Sequence, residues 1–334
     1  MIFIVGNSRS GTTMLGRMLG NNSKVNLFPE LHLFGPCIAH GKELDTISKE
    51  DCNKIFTWLL DVYENGFHAK RNPEKYYSYA NKMMAIFYKD GLDAWDAYSY
   101  FVHQSALKNN KQIPCEDLPG NIFKLSQLFK KFPKCKIIHL VRDPRDVVLS
   151  QKNRHQRRRM GGNYVTNKES LRFWANYHPY FISRLWKNAV SSAIIFENHP
   201  NVITIKFEDL LLNTSTILKK ICEHCEINYE EQMLLVPQVG SSSQKDDPNK
   251  LGVDEKRVGA WHRGGLSNGE IEICEKIAKE EMNHFNYPLS GVNVNVFSKI
   301  WYLLLLPIKG VLALMLNWGR TKGIISFIKN RILK

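Results

Sequence analysis

Residues 2–5, Ile-Phe-Ile-Val, form an unbroken apolar run, and a polar stretch from Gly6 to Thr13 separates it from Met14, Leu15, Met18 and Leu19 at helical spacing. The pattern predicts strand, loop, helix. Ile137-Ile138-His139-Leu140-Val141 reads as a second buried strand, ended by Arg142-Asp143-Pro144, with Pro144 placed to open a helix through Val147, Val148 and Ser150. A third strand is expected at Val202–Ile205, leading through Phe207-Glu208-Asp209-Leu210 into a helix over 214–225. Strands alternating with helices predict an α/β fold, a parallel sheet flanked by helices on both faces. Residues of about 45–110, rich in Tyr, Trp, Phe and Lys at helical spacing, predict a helical insertion over the sheet. One long helix is expected over 168–197 and another over 268–285, capped by Ser267 or Asn268, while 240–250 reads as a polar loop.

The pattern changes at residue 292, which divides a domain of 1–291 from a tail of 292–334. From Ile300 to Trp318 only Lys309 is charged, and beyond it Ile, Phe and Leu alternate with basic residues. A Lys near the centre of a bilayer span costs about 2.5–3.5 kcal/mol, and Pro307 and Gly310 flank this one. A span would also carry the basic end of the chain across, against the positive-inside tendency. The amphipathic C-terminal tail is therefore expected to lie on an anionic membrane surface through residues 297–334, flat or as a shallow hairpin broken at Pro307–Gly310. A helix packed on the core and a true span are the alternatives.

The chain of 334 residues carries 46 Lys and Arg against 32 Asp and Glu, a net charge of +14, half of it in the tail. Such a balance favours anionic partners. No nucleic-acid module accompanies it. Seven scattered cysteines and a strand at the N-terminus, where an exported chain would carry a leader, predict a cytoplasmic, reducing location with peripheral membrane association. Cys222 and Cys225 lack a second ligand pair at zinc spacing, so no metal is expected.

Gly6-x-x-x-x-Gly11 before a helix is laid out to meet a phosphate with backbone N–H groups and a helix N-terminus. Thr12 stands where nucleoside triphosphate loops need Lys, and Arg9 is the loop's cation, which suits a donor without a γ-phosphate and disfavours a nucleotide kinase. Arg142 leaves its strand at the sheet's carboxyl edge, and Ser150 lies two turns along the next helix, so both can meet one anion near that loop. Arg154, one turn further, points the same way. The basic run Lys152–Arg159 reads as a solvated face, or as a guide for an acidic acceptor or headgroups.

These motifs resemble the sulfotransferases that use 3′-phosphoadenosine-5′-phosphosulfate (PAPS), in the right order over roughly residues 1–290. Arg9-Ser10-Gly11-Thr12-Thr13 resembles the family's 5′-phosphosulfate loop, and Arg142 with Ser150 its 3′-phosphate site. Phe207-Glu208-Asp209-Leu210 resembles its aromatic-Glu-Asp-Leu turn, and Val258-Gly259-Ala260-Trp261 its C-terminal Gly-x-Trp element. The resemblance implies a P-loop-like fold, PAPS as donor with PAP as product, and no metal. Closest is the tyrosylprotein and carbohydrate branch, which implies Glu30 as general base and Arg9 as the cation at the leaving phosphate. His32 is a second candidate base. Two departures stand out. Glu116-Asp117-Leu118-Pro119 replaces the family's Glu-Lys-Thr-Pro, leaving Lys124, Lys108 or Arg9 alone to supply positive charge. Ala260 replaces a basic residue, so Arg257, His262 or Arg263 would reach the 3′-phosphate beside Gly259 and Trp261. The tail directs the expected acceptor toward a hydroxyl of a carbohydrate or lipid-linked glycan. Tyrosine sulfation, and a non-catalytic membrane-bound module that only binds PAP, are the other readings.

Overall fold

In the computed structural model the N-terminal apolar run becomes β1 (Ile2–Gly6), and the loop after it opens α1 (Thr12–Gly20). The structure describes residues 1–317 except 34–36, 39–41, 43, 68, 157–158, 161–162, 240–246 and 295. Most of the expected polar loop, Arg157 and Arg158 of the basic run, and the tail's basic end from Arg320 lie outside these residues.

β2 (Val25–Phe28), β3 (Ile113–Asp117), β4 (Lys136–Val141) and β7 (Val202–Lys206) join β1 in an all-parallel sheet of order β2-β3-β1-β4-β7. Between β4 and β7 lies a small antiparallel pair, β5 (Arg159–Met160) with β6 (Asn163–Tyr164). Phe3 and Val5 face one buried apolar cluster and Ile2 and Ile4 the other, the two-sided burial that a parallel sheet requires. The chain leaves β1 toward β2 and β3 on one side and reaches β4 on the other, so the loops after β1 and β4 flank the switch point where α/β sheets bind ligands.

The insertion comprises α2 (Lys49–Asn65), α3 (Glu74–Phe87) and α4 (Ala94–Lys108), followed across β3 by α5 (Leu125–Lys131). After β4 come α6 (Pro144–Lys152), α7 (Asn167–Asn176) and α8 (Pro179–Ile194), and after β7 α9 (Phe207–Leu212) and α10 (Thr214–His224). α11 (Asn268–His284) starts at a capping box in which Ser267, not Asn268, is the cap. The single helix expected over 168–197 is two helices. Pro179 disfavours helical geometry at His178, whose side chain instead accepts a hydrogen bond from the Tyr180 N–H and caps α8.

The described part of the tail forms one continuous helix, α12 (Val296–Asn317), with Pro307 inside it, so of the two expected surface arrangements the hairpin broken at Pro307–Gly310 does not form. α12 rests on α7. Lys309 Nζ donates to the Trp174 carbonyl at 2.9 Å and lies 3.0 Å from that indole's centroid; His178 Nε2 meets the Tyr302 carbonyl at 3.0 Å; and Arg172 Nε donates to Leu316 O at 3.0 Å. The charge that disfavoured a span is the contact that docks the helix. Among the described residues no helix is long and apolar enough to cross a membrane.

Candidate active site

The loop after β1 turns on two residues with positive φ, Arg9 at 75° and Gly11 at 96°. Gly11 is required there. A Cβ would stand 2.5 Å from the Phe207 ring, which packs against the loop from the start of α9. The same ring lies 4.3 Å below the Arg142 guanidinium, so the aromatic residue of the Phe-Glu-Asp-Leu turn sets the floor under both phosphate motifs. Glu208 fixes that turn by accepting the Asp143 N–H at 2.9 Å and the Tyr287 hydroxyl at 2.8 Å.

Arg142 Nη1 donates to the Arg9 carbonyl at 3.2 Å, and Arg9 Nε donates to Ser150 Oγ at 3.1 Å. Residues assigned from sequence to two separate phosphates thus form one connected cationic edge. Ser10 Oγ, fully buried, and Arg142 Nε have no hydrogen-bond partner. Orphaned polar atoms beside backbone amides at the start of α1 are what an anion would satisfy, so these residues fit a bound phosphosulfate. The Arg154 guanidinium lies over the Phe173 ring at 4.2 Å, and Lys152 pairs with buried Glu270 at 2.7 Å. The first half of the basic run is therefore engaged with α7 and α11 rather than solvated.

The C-terminal element is held by Asp146, a residue the sequence did not single out. Its carboxylate, 1 % exposed, accepts the N–H groups of Gly259 at 3.0 Å and Trp261 at 2.9 Å and lies 3.5 Å from Arg142. Arg142 Nη2 in turn donates to the Arg257 carbonyl at 3.0 Å. Trp261 is buried beneath the Arg145 guanidinium, 3.9 Å away, so its indole anchors the loop, while the Arg257 side chain is paired with Asp254 at 3.7 Å. The only sequence sign of this latch was the charge alternation Arg142-Asp143-Pro144-Arg145-Asp146.

On the acceptor side, Glu30 follows β2 at the same edge of the sheet. Its Oε2 is 2.7 Å from His32 Nε2, so the two candidate bases are one hydrogen-bonded pair. His32 takes a φ of 45° and packs against Phe67, the rings tilted by 36° with centroids 4.0 Å apart, while the Trp58 indole N–H holds the intervening Leu31 carbonyl at 3.0 Å. Nothing in the sequence pointed to Phe67 or Trp58. Of the candidate replacement cations, Lys108 ends α4 before β3 begins and so lies at the opposite edge of the sheet. Lys124 ends the turn that follows β3, on the near edge.

Asp117 ends β3 with Glu116 beside it, both buried. Burial, reinforced by the Glu30 charge, pushes the Asp117 carboxyl up to about 7, against hydrogen bonds to Thr12 and Thr13. Burial likewise pushes Glu116 up to about 7, against hydrogen bonds with Tyr98 and Asn121. Among the described residues no group of three or more His, Cys, Asp and Glu is arranged to hold a metal ion.

The sulfotransferase domain of the Synechococcus PCC 7002 olefin synthase shares the fold at a TM-score of 0.55 and 20% identity, over 86% of this chain and 95% of that one. A sulfotransferase domain from the curacin biosynthetic pathway does so at 0.51 and 19%, over 86% and 98%. No curated protein matches the sequence. The model of the sulfotransferase family matches residues 2–231, which take in the donor loop, Glu30, Arg142 with Ser150, and the Phe207 turn, and the chain belongs to that family.

Proposed function

We propose that this enzyme transfers the sulfuryl group of PAPS to a hydroxyl of a carbohydrate or lipid-linked glycan, with Glu30 as general base and Arg9 stabilising the leaving phosphate. The observation that carries the reading is the connected edge Arg142–Arg9–Ser150, which links the residues of both phosphate motifs, with the Glu30–His32 pair following β2 at the same carboxyl edge of the sheet. The donor supplies an electrophilic sulfur whose bond to the 5′-phosphate oxygen breaks as the acceptor oxygen bonds to it. Glu30 takes the hydroxyl proton, its carboxylate oriented by the hydrogen bond between Oε2 and His32. Arg9 and the amides at the start of α1 meet the charge growing on the departing phosphate. Calorimetric titration without metal should find PAP bound in preference to ATP and ADP; a preference for ATP with Mg²⁺ would overturn the reading.

We also propose peripheral attachment to an anionic membrane at its cytosolic face through residues 297–334. Supporting this, the side of α12 away from α7 exposes Trp301, Leu304, Ile308, Val311 and Met315 at alternating three- and four-residue steps. Deleting the tail would uncover α7, so substitution of the exposed face is the sharper test. Trp301→Glu, Ile308→Glu and Met315→Glu together should reduce sedimentation with phosphatidylglycerol-containing vesicles by ~100-fold or more and leave turnover of a soluble acceptor intact. Unchanged sedimentation would assign the helix to packing alone.

A further inference from the structure

Behind the donor loop lies a carboxyl group that the transfer reaction does not use. Asp117 is in register with Ile4 of β1, and its side chain lies over Gly16, where an added Cβ would stand 3.3 Å from the Asp117 Cβ. It is 3 % exposed. The carboxyl is hydrogen-bonded with the hydroxyls of Thr12 and Thr13, and Oδ1 is buried without a hydrogen-bond partner. Thr12 is buried, whereas Thr13 reaches the surface of the loop.

The protonation state of Asp117 decides which way these hydroxyls point. An ionised carboxylate only accepts, so it takes both threonine protons and turns oxygen lone pairs toward the loop. A neutral carboxyl donates one proton to a threonine oxygen, which frees that hydroxyl's own hydrogen for an anion in front of it. The groups facing Asp117 are Glu30 from the loop after β2, Glu116 from its own strand and Arg17 from α1. Glu30 opposes its ionisation and Arg17 favours it. A polyanion at the start of α1 adds to the opposition.

We infer that donor binding takes up a proton at Asp117, whose neutral carboxyl lets Thr13 donate to the 5′ anion, and that ionised Asp117 opposes binding. The inference rests on reading this loop as the PAPS and PAP site. The proton comes from solvent, ends on Asp117 and is released with the ligand. Free Asp117 is already neutral below about pH 7, so no uptake accompanies binding there. Above it, affinity falls by up to about tenfold per pH unit, because each binding event must bring a proton in.

Calorimetric titration of the full chain with PAP between pH 7 and 9, in pairs of buffers with different heats of ionisation, reads this directly. PAP's phosphates, with a second pKa of about 6, are about nine-tenths ionised at pH 7 and almost wholly so above pH 8, where the uptake is read. Uptake should approach one proton above pH 8, with the matching loss of affinity, and Asp117→Asn, which carries a fixed amide donor, should abolish both. Should that variant not fold, Glu30→Gln, altered at an exposed side chain, carries the test. Without the Glu30 charge the loss of affinity should begin at lower pH, whereas disappearance of the uptake would assign the proton to Glu30 and overturn the inference. Tight binding that is flat with pH would overturn it while leaving the donor site intact. Failure to bind PAP at any pH would remove the donor site and the inference together.

Discussion

Replacing Arg142 with Ala should weaken PAP binding by roughly 10²–10³-fold, the loss typical of removing one partner from a buried, hydrogen-bonded charge pair. The size follows from what converges on this side chain. Arg142 is 8 % exposed, and its two terminal nitrogens tie the Arg9 carbonyl to the Arg257 carbonyl, while Asp146 holds it from behind and Phe207 supports its face. One guanidinium is therefore placed to meet the proposed ligand while it ties the loop after β1 to the C-terminal loop at Arg257. Arg142→Lys should recover little, because an ammonium cannot reproduce two directed contacts and a stacked face. Calorimetry with PAP checks both variants, and a native far-ultraviolet spectrum must accompany the result. Affinity within a few-fold of wild type would remove Arg142 from the donor site.

The second large effect is expected at Glu30. Glu30→Gln should lower kcat by about 10²–10⁴-fold, the range for loss of a general base, while PAP affinity at a pH low enough to keep Asp117 neutral in both proteins stays within a few-fold. The side chain is 41 % exposed and pairs with His32 at 2.7 Å, so the amide should fit in its place with the fold intact. The split between turnover and donor affinity identifies the role. If turnover persists in Glu30→Gln and is lost in His32→Ala, the base is the imidazole and Glu30 orients it.

Much of the scaffold was legible because burial on both faces leaves continuous apolar runs, as at Ile2–Val5 and Ile137–Val141, and because Gly11 and Pro144 mark where strands give way to helices. β2 and β3 were not. β2 is a four-residue edge strand, and β3 carries Pro114 and ends in two carboxylates, a composition that reads against a strand until the sheet buries it. The helix expected over 168–197 failed at Pro179, a local signal outweighed by the periodicity around it. In the tail, the apolar run and the basic residues after it read as an amphipathic segment, but only its docking on α7 showed that Lys309 belongs to the packed face.

By itself the sequence determined the parallel α/β class and the place of the Gly6–Gly11 loop between β1 and α1, because these depend on neighbours in the chain: a strand, a turn with φ above zero, and a helix N-terminus. The tertiary structure alone decided how they act together. It joined Arg9 to Ser150 across 141 positions, latched Gly259 and Trp261 onto Asp146, paired Glu30 with His32, and set Asp117 behind Thr12 and Thr13. The physical reason is that the energy of a charge depends on burial and on what faces it, and both come from segments far apart in the chain that the sheet brings to one edge.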